Sequence, residues 1–97
     1  MAVVVWTVEF ARDLDNLLDY LEEEGAATTI KKLLKKIDEE SDRITKYPGF
    51  GLTSTKLENV YSVKILKHHR MYYQIDGDTL ALIALIDLRR DPTKNPY

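Results

Sequence analysis

The sequence predicts a small α/β protein of the α+β type. We expect an N-terminal strand, an antiparallel two-helix hairpin, and then an antiparallel sheet of three to four strands packed on the helices. The chain opens on a run of β-forming residues, continues with two long segments of helical apolar spacing, and ends in β-rich segments joined by short turns. A length of 97 residues suits one domain, residues 1–97.

Composition excludes several classes of protein. The chain has no cysteine, so it has neither a disulfide framework nor a cysteine-based metal site, which fits a reducing cytoplasm. The apolar run at residues 2–6 is too short for a signal segment and has no basic residues before it. No apolar stretch approaches the length of about 20 residues that a membrane span requires. We therefore expect a cytoplasmic protein that contacts no membrane and uses no metal or cofactor.

Charge is distributed unevenly along the chain. Residues 1–47 hold 11 acidic and 7 basic residues, and residues 48–97 hold 5 acidic and 7 basic residues. The net charges of the two halves are therefore −4 and +2, although the whole chain carries only −2. This asymmetry favours two surfaces with different partners, but solvated helix surfaces alone produce the same pattern.

The first half predicts a strand and two helices. Residues 2–8 are rich in valine and predict a strand. A helix is expected from about Phe10 to Glu24, with Gly25 as its stop, and a second from about Ala27 to Lys46, which Pro48 and Gly49 end. Three pairs at i,i+4 are expected on the outer face of the second helix: Lys35–Glu39, Lys36–Glu40 and Asp42–Lys46.

The second half predicts the sheet. A short strand is expected at residues 53–57, and longer strands at about 60–67, 70–76 and 79–88. Asp76-Gly77-Asp78 predicts a tight turn because glycine accepts a positive φ. The last strand is apolar from Leu80 to Ile86, which predicts an interior position with both faces covered.

Side chains alternate between the faces of a strand, so the pattern also predicts which residues lie together. Met71, Tyr73 and Ile75 are assigned to the helix side. The opposite side is expected to carry a basic surface made from three strands: Ser62, Lys64, Arg70, Tyr72, Gln74, Asp87 and Arg89. A one-residue bulge would move part of this set to the other face.

Three segments in this order resemble the RelE/ParE superfamily of type II toxin–antitoxin toxins. They are Tyr-Pro-Gly-Phe-Gly at 47–51, Arg-Met-Tyr-Tyr-Gln-Ile at 70–75 and Asp-Leu-Arg-Arg-Asp-Pro at 87–92. The resemblance covers nearly the whole chain, and its fold agrees with the fold predicted above. Tyr61 and Ser62 stand where ribonuclease-type relatives often carry basic residues.

The resemblance implies a toxin with one of two targets. RelE-like members cleave messenger RNA on the ribosome without a metal, whereas ParE-like members inhibit DNA gyrase and cut no RNA. It also implies a cognate antitoxin as partner, with operator DNA bound only indirectly through that antitoxin. Ribosome-dependent RNA cleavage is our first expectation, gyrase inhibition is the second, and an inactive toxin-like binding module is the third.

For the nuclease, Lys64, Arg70 and Arg89 match basic residues of ribonuclease members by position, and the resemblance implies a division of roles. Lys64, Arg70 and Arg89 are the candidate catalytic residues: the arginines would clamp the phosphate, and Lys64 would supply charge or act as a base. The candidate substrate-binding residues are Lys67, His68, Tyr72, Arg90 and Tyr97. His68 and His69 are adjacent and should point to opposite faces, which argues against a joint metal site.

Overall fold

The computed structural model describes residues 2–97 and has two helices packed on one face of a five-stranded sheet. The strands are β1 (Val3–Trp6), β2 (Leu52–Thr53), β3 (Val60–Leu66), β4 (His69–Asp76) and β5 (Thr79–Asp87). The helices are α1 (Val8–Glu23) and α2 (Ala27–Lys46), and 3₁₀ turns lie at Pro48–Phe50 and Pro92–Lys94. This is the predicted fold class.

The sheet has the strand order β1-β5-β4-β3-β2. Strands β2 to β5 pair antiparallel in sequence, and β1 runs parallel to β5, from Val3 opposite Thr79 to Trp6 opposite Leu82. The last strand therefore lies inside the sheet, as its apolar sequence predicted. The parallel pairing of the two ends of the chain is a non-local feature that no short pattern indicates.

Thr7 separates β1 from α1 and explains why the strand ends at Trp6 rather than at residue 8. Its Oγ1 accepts a hydrogen bond from the Phe10 backbone N at 3.2 Å, which is the usual N-cap arrangement. The same hydroxyl donates to the Leu82 carbonyl of β5 at 2.8 Å. One threonine thus begins α1 and fixes it to the sheet.

The two helices cover the sheet as an antiparallel pair. Gly25 has a φ of 67° just past α1, in the left-handed region that glycine accepts. The core between helices and sheet is apolar and contiguous. Its buried residues are Phe10, Leu14, Leu21, Leu33, Ile37, Ile44, Val63, Ile65, Met71, Tyr73, Leu80, Leu82 and Leu85.

Two details of α2 and β2 differ from expectation. The sequence predicts Glu40 on the outer face of α2, but its side chain is only 3% exposed and continues the buried row of Leu33, Ile37 and Ile44. The strand predicted at 53–57 is only two residues long, because Ser54 Oγ accepts hydrogen bonds from the backbone N of residues 56 and 57 and turns the chain.

Candidate functional site

The residues predicted to form one site lie on two surfaces. The first, which we call the back face, is the side of the sheet away from the helices, and it carries Lys64, Arg70, Tyr72 and Tyr97. The second, the α1–β5 groove, lies between α1 and the end of β5. It is lined by Lys67, His68, Arg89 and Arg90 among others, and encloses about 820 Å³.

On the back face the register brings Lys64 and Arg70 side by side, as predicted. Ser62 pairs with Tyr72 and Lys64 pairs with Arg70 across β3 and β4. Arg70 Nε donates to Ser62 Oγ at 2.9 Å, and Arg70 Nη2 donates to the Ser62 carbonyl at 3.1 Å. The guanidinium is therefore held by the neighbouring strand, while the Lys64 side chain is exposed.

The end of the chain covers the rest of the back face. Tyr72 is 7% exposed, and the Tyr97 ring lies against it at a centroid distance of 5.3 Å. Asn95 Nδ2 donates to the Tyr72 hydroxyl at 3.1 Å, and Ser54 Oγ donates to the Tyr97 carbonyl at 2.7 Å. Burial raises the pKa of Tyr97. Both tyrosines are thus engaged in packing, beside Val60 and Ala84.

Asp87 and Arg89 do not join the back face. The register of β4 against β5 shifts between Tyr72 and Tyr73, so that Ile83 is an extra residue of β5. Beyond this bulge the alternation of side chains reverses, and Asp87 lies opposite His69 on the helix side. Arg70 and Arg89 therefore lie on opposite sides of the sheet, and the predicted common face of Arg70, Asp87 and Arg89 is not formed.

In the α1–β5 groove, Asp87 organises its neighbours. Arg89 Nη2 and Nε donate to the two Asp87 carboxylate oxygens at 2.9 and 3.1 Å, and the Arg89 backbone N donates at 2.9 Å. These bonds hold the pKa of Asp87 well below its usual range. His69 Nε2 lies 3.9 Å from Asp87 Oδ2, and burial lowers the pKa of this imidazole although Asp87 opposes that effect.

One wall of the groove is a face of α1 that no sequence motif assigns to a site. Asp13, Asn16, Leu17 and Tyr20 recur at helical spacing and present one face of α1 to it. Asp13 Oδ2 accepts a hydrogen bond from the Leu85 backbone N at 3.0 Å, at a point of β5 that β1 does not reach. The helical spacing of these four residues shows in the sequence that they share one face of α1. No local pattern indicates that this face meets the end of β5.

Residues 2–97 contain no cluster of three or more His, Cys, Asp or Glu side chains placed to hold a metal ion. No helix in this range has the length and apolar character needed to cross a membrane.

Comparison with known proteins places the chain in a family. The family model described as "ParE toxin of type II toxin-antitoxin system, parDE" matches residues 4–92. A search of curated proteins found no match.

Solved structures share the fold at low sequence identity. The chromosomal ParDE system of P. aeruginosa contains a chain with a TM-score of 0.73 and 18% identity, covering 91% of this chain and 97% of that one. A YoeB/ParE toxin from Agrobacterium tumefaciens has a TM-score of 0.63 and 20% identity, with coverages of 90% and 98%. A YoeB–YefM complex from Staphylococcus aureus gives 0.59 and 20%, with coverages of 88% and 94%. With the family model matching nearly the whole chain, this protein belongs to the ParE toxin family of type II toxin–antitoxin systems.

Proposed function

We propose that this toxin acts by binding DNA gyrase and inhibiting it, without cutting RNA. The observation that carries the proposal is the separation of Arg70 from Arg89 by the sheet. A phosphate clamp needs both guanidinium groups within reach of the same scissile phosphate. Here each is held by a partner of its own, Ser62 on the back face and Asp87 in the α1–β5 groove.

The back face supports the same proposal. Of its four predicted site residues, Tyr72 and Tyr97 are packed against each other, and Arg70 is bonded to Ser62. Lys64 is the one exposed side chain of that set of four. RNA cleavage requires groups that orient the 2′-hydroxyl and move protons at the phosphate, and a single exposed lysine does not supply them.

Ribosome-dependent RNA cleavage is the second candidate because the α1–β5 groove gathers basic and imidazole groups. Lys67, His68, His69, Arg89 and Arg90 all line it. In this alternative the groove, rather than the back face, would hold the RNA. His69 would move protons beside Asp87, and the other groups would bind phosphate.

An antitoxin partner is part of the proposal. Type II systems pair a toxin with a protein antitoxin, and one of the similar structures is YoeB in complex with YefM. Co-expression with the cognate antitoxin should restore growth, and the two chains should co-purify. Operator DNA would then be bound only through the antitoxin. Toxicity that persisted in a purified, stoichiometric complex would contradict this part of the proposal.

Induced expression in a bacterium tests the choice of target. Plasmid supercoiling and message integrity would be followed in the same culture, for the native chain and for Arg70→Ala and Arg89→Ala. We expect loss of supercoiling with intact messages. Rapid message cleavage that disappears in either arginine variant would overturn the gyrase proposal in favour of the nuclease. Normal growth with a folded chain would favour an inactive binding module.

A further inference from the structure

The outer edge of β1 is open. Strand β1 pairs with β5 on one side, and no strand within residues 2–97 pairs with its other side. The backbone N atoms of Val3 and Thr7 donate to carbonyls of β5 at 2.8 and 3.1 Å. Successive residues of a strand direct their backbone groups to opposite sides. The N–H and C=O groups of Val4 and Trp6 therefore point outward, away from β5.

Both faces of β1 beside this edge are apolar. Val4 packs with the core between the helices and the sheet, so its neighbours Val3 and Val5 lie on the back face. The Trp6 ring lies on the helix side, where it meets the Phe10 ring edge to face at a centroid distance of 5.1 Å. Much of this surface is nevertheless open to solvent.

The exposed fractions show how little covers the edge. Four large apolar residues are involved, namely Val3 at 58%, Val5 at 45%, Trp6 at 51% and Val8 at 69%. Contiguous exposed apolar residues of this kind mark an interaction surface. The edge of β1 thus offers an unpaired backbone and apolar side chains together.

This edge has none of the features that keep an open strand from associating. Such strands are usually protected by a lysine, a proline or a bulge. Residues 2–6 contain no charged residue and no proline, and the register of β1 against β5 is unbroken. The open part of β3, at the other edge of the sheet, carries Lys64 and a bulge. Because β1 carries no charge, it fits an uncharged, apolar strand rather than an acidic segment or a nucleic acid.

A second copy of β1 is such a strand. If the two copies run antiparallel about a two-fold axis at Val5, Val4 of each lies opposite Trp6 of the other, and their outward backbone groups bond to each other. Val5 then faces Val5 of the second copy as a non-hydrogen-bonded pair, whose side chains are the closer of the two pair types. The axis is perpendicular to the sheet, so the two sheets continue as one with all helices on the same side.

The area at this edge suits a weak dimer. The exposed parts of the four apolar residues amount to roughly 400 Å² in each copy, taking about 150–250 Å² for a whole aromatic side chain and less for a valine. With the backbone of the edge, a dimer would bury about 1,000–1,200 Å² in total, the lower limit for a specific interface. We therefore expect a dissociation constant of roughly 1–100 μM.

We propose that this chain forms a two-fold dimer by antiparallel pairing of β1 with β1 of a second copy, with the two Val5 side chains opposite each other on the axis. This surface is separate from the α1–β5 groove, which β1 does not line. It does not depend on gyrase being the target, so either proposal can fail without the other.

Charges at residue 5 test the pairing. Val5→Lys and Val5→Glu each place like charges opposite each other on the axis, whereas a mixture of the two variants places opposite charges there. Sedimentation equilibrium should show a monomer–dimer equilibrium for the native chain, weakened by about tenfold or more in either variant alone. The mixture should dimerise more tightly than either variant. Leu57→Lys is the control, since Leu57 is 44% exposed and lies away from β1, and it should dimerise like the native chain.

Hydrogen exchange locates the interface on the backbone. The amides of Val4 and Trp6 should exchange more slowly as the concentration of the chain is raised through the dimer range. The amides of Val3 and Thr7 are already bonded to β5 in one copy, so their exchange should change little.

Three results would overturn the proposal. The first is a native chain that stays monomeric at roughly 500 μM, well above the expected dissociation constant. The second is a dimer that Val5→Lys leaves intact, or a mixture of Val5→Lys and Val5→Glu that associates no more tightly than the separate variants, since residue 5 would then not lie on the axis. The third is association beyond the dimer into a growing series of species, because β1 would then pair head to tail with the other edge of the sheet.

Discussion

Tyr73 offers the sharpest test of how the segment between α2 and β2 is held. This side chain is completely buried, and its ring stacks on Tyr61 at a centroid distance of 5.6 Å. Its hydroxyl donates to the Pro48 carbonyl at 2.7 Å and accepts from the Gly51 backbone N at 3.0 Å. One hydroxyl thus fixes the segment that runs from the end of α2 to β2.

Tyr73→Phe removes both bonds and keeps the ring in place. A buried polar group that loses its partner costs about 1–3 kcal/mol. Because both backbone groups are only partly buried, we take the lower part of that range for each, about 2–3 kcal/mol in total for the free energy of unfolding. With a urea m-value of about 1–3 kcal/mol/M, the midpoint should fall by roughly 0.7–3 M.

Urea denaturation followed by circular dichroism measures this change. Tyr61→Phe is the matched control, since it alters the stacked partner ring and leaves both hydrogen bonds of the Tyr73 hydroxyl in place. We expect the Tyr61→Phe midpoint to stay close to that of the native chain. If Tyr73→Phe were as stable as Tyr61→Phe, the Tyr73 hydroxyl would not anchor this segment.

Three further predictions follow from contacts at other positions. Gly51→Ala should destabilise the chain, because the added Cβ would lie 2.7 Å from the Tyr73 hydroxyl oxygen and 2.8 Å from the Ser62 carbonyl oxygen. Gly49→Ala is the control, since a Cβ there would have no neighbour within 4 Å, and the melting temperatures of the two variants are compared. Burial lowers the pKa of His69, so its contribution to stability should be present above pH 6.5 and be lost as pH falls from 6.5 through the folded-state pKa. NMR titration should find that pKa below 6.5 and lower still in Asp87→Asn, since Asp87 favours the charged imidazole; an unchanged or raised pKa in Asp87→Asn would contradict the pairing. Tyr97→Ala should expose Tyr72 and cost about 1–2 kcal/mol in chemical denaturation, while Lys94→Ala, an exposed change in the same segment, should leave stability unaltered.

Local signals were sufficient for much of the fold. The bounds of α2 follow from its apolar spacing and from the proline and glycine that come after it. The turn at Gly77 follows from the Asp-Gly-Asp sequence at 76–78, and the observed φ of 59° is the left-handed conformation that glycine accepts. The burial of Glu40 was also readable, since it continues the spacing of Leu33, Ile37 and Ile44 at three and four residues. It was missed because its pairing with Lys36 at i,i+4 suggested an exposed face.

The arrangement of the site could not be read from local patterns. One extra residue, Ile83, decides on which side of the sheet Asp87 and Arg89 lie, and nothing in the apolar run from Leu80 to Ile86 marks it as a bulge. The cover of the back face depends on contacts between Tyr97 and residues far away in sequence, such as Ser54 and Tyr72. Such contacts are set by the tertiary fold rather than by any motif.

One titration with purified components decides whether this toxin acts on gyrase and leaves RNA intact, as we propose. The same preparation of the chain would be added to gyrase with relaxed plasmid, and to ribosomes translating a defined message. We expect supercoiling to be lost at concentrations of the chain that leave the message whole. Cleavage of the message in the ribosomal A site, with supercoiling unaffected at a large excess of the chain, would contradict it.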